Sequence, residues 1–141
     1  MASRAAMLAL LDREGPRSVA ADMRLKLVGP TSRDTRPGVL AAIDGLMGSA
    51  TATGVGFAIA RMMNRPDTTA DLAAFRGPAG VVVGEEDALT PPGEAASMAA
   101  LVPGAPLVII PRAGHLSNLE APDAFNAAMR EWLDRVAVEK P

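Results

Sequence analysis

Between Ala79 and Leu119 the chain carries two short apolar runs separated by a polar turn and a helical stretch. That arrangement restricts the fold more than any other feature. Ala79-Gly80-Val81-Val82-Val83 reads as a strand, and its valines are apolar on both faces, as in a strand from the middle of a sheet. The acidic turn Gly84-Glu85-Glu86-Asp87 follows, and Thr90-Pro91-Pro92 opens a helix. After Pro103-Gly104, a second strand, Leu107-Val108-Ile109-Ile110, ends in Pro111-Arg112-Ala113-Gly114-His115. Strand, helix and strand make a β-α-β unit, whose crossover is almost always right-handed. Parallel strands joined this way end at the same edge of the sheet, so Asp87 and His115 are expected to meet there. An acid that orients an imidazole is the supporting half of a nucleophile-His-Asp triad.

Composition removes several alternatives. At 141 residues, 49% of them hydrophobic and 21% charged, the chain is long enough for one domain with a core. Net charge is −2 and the basic residues are scattered, which argues against nucleic acid as a partner. With no cysteine and a single histidine, neither a thiolate site nor a multi-histidine metal site is expected within one chain. No apolar run reaches membrane-spanning length, and Met1-Ala2-Ser3-Arg4 lacks a following hydrophobic signal core. No membrane partner and a cytoplasmic location are the expectation.

Ahead of the first strand the pattern is helical throughout. Helices are expected over residues 1–14, stopped by Gly15-Pro16, and over Arg17–Val28, stopped by Gly29-Pro30. Thr35-Arg36-Pro37 has the form of a helix start, with Thr35 as N-cap, and Val39, Ile43, Leu46 and Met47 follow at helical spacing. Further helices are expected over Thr53–Met63 and Thr69–Phe75. At the other end, Pro122 to Val136 is amphipathic through Phe125, Met129, Trp132 and Leu133.

Two segments carry a family resemblance. Gly84-Glu85-Glu86-Asp87-Ala88-Leu89-Thr90-Pro91-Pro92 and Gly114-His115-Leu116-Ser117-Asn118-Leu119-Glu120-Ala121-Pro122, followed by Phe125, resemble the C-terminal part of α/β-hydrolases. The nearest subgroup is the lid-bearing esterase, lactonase and perhydrolase-like enzymes, matched over residues 67–136. The resemblance implies an α/β fold of two parallel strands with flanking helices plus a helical lid. The lid would span residues 1–76 and the C-terminal β-α-β-α part of the core residues 77–141. It implies Asp87 as the triad acid and His115 as the general base, no cofactor, and a small ester or lactone substrate. The family's nucleophile sits in a Gly-x-Ser-x-Gly elbow after an earlier strand. None of the six serines here has glycine at both positions two residues away. The chain therefore looks like the lid and last third of a hydrolase, with the serine supplied from elsewhere. The alternative function is a non-catalytic remnant of the fold that serves as a binding or assembly module.

Several residues have ordinary explanations beside the chemical one. Glu85 and Glu86 read as a solvated charge cluster, and the motif favours Asp87 over Glu86 as the acid. Ser49, Thr51 and Thr53 lie between helices, where capping explains them better than a substitute nucleophile role. Met47, Phe57, Met62 and Met63 fit packing between helices better than an acyl pocket. Two strands alone leave an edge unpaired, so the edge of strand 79–83 is expected to be covered, by another copy of this chain or by a complementing N-terminal half. Self-association is the expectation.

Overall fold

In the computed structural model, which describes residues 4–138, nine helices and two strands follow one another among the described residues. The helical segment comprises α1 (Arg4–Glu14), α2 (Pro16–Leu27), α3 (Pro30–Thr35), α4 (Pro37–Gly48), α5 (Ala52–Met63) and α6 (Thr69–Ala74). Proline stands at the first helical position of α2, α3 and α4, where its missing N–H costs no intrahelical bond and its fixed φ suits the helix. Pro30 thus ends one helix and starts the next. The expected N-cap at Thr35 is corrected accordingly. Thr35 is the last residue of α3 and its hydroxyl donates to the Thr31 carbonyl, while Arg36 occupies the cap position. The expected start of α5 at Thr53 moves back to Ala52 because Thr51 takes the N-cap, accepting from the Gly54 N–H.

Helices α1, α2, α4 and α5 pack on one another around Leu11, Val19, Ile43 and Ile59. Ile43 and Ile59 are each 1% exposed, so each contributes roughly 1.5–3 kcal/mol of burial. Phe57, Met62 and Met63 stay at the surface, which corrects the expectation that they fill the space between helices. No single helix among the described residues is long and apolar enough to cross a membrane.

The second half holds the sheet. Strands β1 (Val81–Gly84) and β2 (Leu107–Ile110) run parallel, with Val81 opposite Leu107 and Gly84 opposite Ile110. The first strand begins two residues later than its composition suggests. Pairing starts where the Val81 N–H meets the Pro106 carbonyl, and Gly80 before it packs under the Trp132 indole. Helix α7 (Pro92–Leu101) crosses between the strands and packs on both, burying Ala95 with Val83 and Ile110. The short α8 (Ser117–Glu120) follows β2 and leads into α9 (Pro122–Val138), which packs against α8 and β2. Among the described residues the sheet has these two strands only, and the outer edge of β1 has no strand beside it.

Candidate active site

Both strands end in loops at one edge of the sheet, and the two functional candidates face each other there. His115 Nδ1 lies 2.9 Å from Asp87 Oδ2. The sequence-level expectation that they meet holds, and the reason is local. The Glu85 N–H donates to the Ile110 carbonyl and the Glu86 N–H to the Ala113 carbonyl, which carries the β1–β2 ladder past the strands into the turn. The two loops therefore leave the sheet already stitched together.

Asp87 is 6% exposed, and every acceptor direction of its carboxylate is used. Oδ1 accepts from the Leu89 and Thr90 N–H groups at 2.8 and 3.0 Å, and Oδ2 accepts from the Thr90 hydroxyl at 2.8 Å. Burial pushes the Asp87 pKa up, but the hydrogen bonds from Thr90, His115 and Leu89 together outweigh it and hold the group below its ordinary value. A carboxylate depressed by folding stabilises the native state above its unfolded pKa and loses that contribution as pH falls through the folded one. The stability gap between wild type and Asp87→Asn should therefore stay constant above the ordinary Asp value of 3.8 and close below it. Urea titrations at stepped pH check this; a gap that widens on acidification would contradict it.

A cavity of about 190 Å³ beside His115 is lined by β1 and by Thr90, Glu94, Met98 and Ser117. Ser117 is buried in its wall. The residues weighed as substitute nucleophiles do not line it: the Ser49 hydroxyl donates to the Leu46 carbonyl and Thr51 caps α5.

The rest of the site is a junction between the helical segment and the His115 loop, and here Glu86 departs from the expected solvated cluster while Glu85 stays exposed. Glu86 accepts from the N–H and the hydroxyl of Thr31, at the start of α3. Glu85 accepts from the Arg112 N–H. Glu120, 2% exposed, bridges both sides: Oε2 accepts from the Gly29 N–H and Oε1 from the Gly114 N–H, each at 2.9 Å. Arg36 adds bonds to the carbonyls of Arg112 and Glu120. Arg112 adopts a left-handed φ of 53°, rare for a residue with a side chain, and is held there at its N–H by Glu85 and at its carbonyl by Arg36. Gly29 and Gly114 lie so close that a Cβ on Gly114 would overlap the Gly29 nitrogen. Glu120 and Gly114 belong to the second motif, but nothing in the sequence pairs them with Gly29, 85 or more residues away.

The model of the Alpha/beta hydrolase family matches residues 2–128. The chain belongs to this family. A thermophilic esterase from Thermogutta terrifontis is 38% identical with a TM-score of 0.88, over 94% of this chain and 49% of that one. A hydrolase from Pseudomonas aeruginosa is 28% identical with a TM-score of 0.79, over 90% and 47%. The enol-lactonase from Burkholderia xenovorans, at 23% identity and a TM-score of 0.81 over 91% and 48%, shares the fold. The chain thus spans about half the length of these structures. As a member of the α/β-hydrolase family it presents a partial fold, with two parallel strands where a whole sheet would continue.

Proposed function

We propose that this chain is the lid and acid–His half of a carboxylic-ester or lactone hydrolase, with residues 1–76 as the lid and 77–141 as the C-terminal part of the core. The observation that carries the reading is the buried, fully hydrogen-bonded Asp87 with its oxygen 2.9 Å from His115 Nδ1. A carboxylate acceptor there favours the proton on Nδ1, which leaves the Nε2 lone pair as the base. A serine from the rest of the fold would give its proton to Nε2 as its oxygen attacks the ester carbonyl. The same proton then leaves with the alcohol, and water repeats the sequence on the acyl-enzyme. Asp87 holds the ring in place and stabilises the charge that forms on it. The small ester or lactone substrate is supported by the activities named for the esterase and enol-lactonase above.

The partner of this half is the polypeptide that continues the sheet from the open edge of β1. Alone, the chain should cover that edge with a second copy, since unpaired ladder groups beside an apolar strand favour association, most simply with two-fold symmetry. The exposed apolar side chains Leu46, Phe57, Met62 and Met63 suit a lid that covers surface beyond this chain.

The purified chain should accordingly hydrolyse p-nitrophenyl esters at no more than a small fraction of an ordinary esterase rate, because the nucleophile and half of the oxyanion hole contribute many orders of magnitude. It should sediment as a dimer at micromolar concentration. Turnover at an ordinary rate, abolished by His115→Ala, would overturn the half-enzyme reading. A monomer with a cooperative melt would overturn the edge pairing.

A further inference from the structure

Thr90 enters the sequence motif as a helix start, yet its hydroxyl ends up between the two chemical groups. Thr90 Oγ1 is 2.8 Å from Asp87 Oδ2 and 3.3 Å from His115 Nδ1. The proton inventory of this triangle is fixed by chemistry. An ionised carboxylate only accepts, so the single hydroxyl proton of Thr90 points at Oδ2. Only the lone pairs of Oγ1 are then left toward the imidazole. Nδ1 thus faces two oxygens, Asp87 Oδ2 and Thr90 Oγ1, that both accept. A ring nitrogen facing only acceptors must carry the proton.

We propose that Thr90 is a positioning residue that locks His115 in the Nδ1–H tautomer, by spending its own proton on Asp87 and turning its lone pairs to the ring. This deepens the reading of Asp87 and His115 as acid and base, yet its core is a statement about the resting chain that needs no nucleophile. The hydroxyl also fixes the carboxylate rotamer, together with the backbone N–H groups of Leu89 and Thr90 that hold Oδ1. Asp87 alone would still favour Nδ1–H, but with one hydrogen bond fewer to orient Oδ2 and no second acceptor at the nitrogen.

His115 is the chain's only histidine, so its two ring nitrogens give the only imidazole signals in a histidine-¹⁵N-labelled sample. Long-range ¹H–¹⁵N correlation, at a pH where the ring is neutral, should show Nδ1 protonated and Nε2 bare in the wild type. Thr90→Val keeps the shape and removes the hydroxyl. It should shift the tautomer ratio toward Nε2–H by about fivefold to tenfold, the worth of one hydrogen bond. Thr90→Ser, which keeps the hydroxyl, should restore the wild-type ratio. A wild-type ring protonated at Nε2 would overturn the proposal without any variant. So would a Thr90→Val ratio equal to wild type, or a Thr90→Ser ratio equal to Thr90→Val. None of these readings depends on ester turnover, so a locked tautomer in a chain that never supports hydrolysis would leave Thr90's role intact and sink the hydrolase reading alone.

Discussion

Gly114→Ala should destabilise the chain by about 3 kcal/mol or more, although it adds a single methyl group. The new Cβ would overlap the Gly29 backbone nitrogen and come within 3.0 Å of Glu120 Oε1. A flexible side chain in the way would swing aside at little cost, but backbone cannot. Gly29 is held by the same Glu120 that holds Gly114, through paired N–H bonds of 2.9 Å. Separating the two glycines breaks at least one of these bonds and leaves part of a carboxylate that is 2% exposed without a donor. Out of a typical stability of roughly 5–15 kcal/mol, such a loss should lower the Tm by about 10 °C, at fixed protein concentration. Gly45→Ala provides the control. Gly45 lies inside α4 with open space around it, so alanine there should stabilise by roughly 0.5–1 kcal/mol through helix propensity. Thermal melts of the two variants side by side decide the matter. Equal Tm values would mean that the helical segment is not clamped to the His115 loop.

The clamp also marks the boundary of what the sequence discloses. The β-α-β unit was legible because its information is local: apolar runs of strand length, a proline-opened helix and glycine breaks all lie within 41 consecutive residues, Ala79 to Leu119. The meeting of Asp87 with His115 follows from parallel-strand geometry alone. Thr90 was visible in the motif, but its role was not. Pro91 and Pro92 beside it signal a helix start, and that reading absorbs the threonine before its hydroxyl is considered. The junction was hidden for a different reason. Glu86 lies in a polar turn and Glu120 ends the short α8, and a carboxylate that accepts backbone N–H bonds leaves no compositional trace. Their partners, Thr31 and Gly29, sit in a segment that reads only as the gap between two helices. The exposure of Phe57, Met62 and Met63 was illegible because helical periodicity shows that a face is apolar, not what lies against it.

The central claim, that Asp87 and His115 are the acid and base of a working triad, is tested most directly by supplying the nucleophile. The Thermogutta terrifontis esterase shares 38% identity with this chain, which covers 49% of its length. Joining the part of that esterase outside this match to this chain supplies the segment in which the family's Gly-x-Ser-x-Gly elbow is expected. Steady-state hydrolysis of p-nitrophenyl butyrate by the fusion is the measurement. Expected is clear turnover above the chain alone, with kcat reduced at least about a thousandfold by His115→Ala and by about 10⁴ by Asp87→Asn, since triad members act as a unit. A folded fusion that is inert, or one whose turnover survives His115→Ala, would contradict the claim.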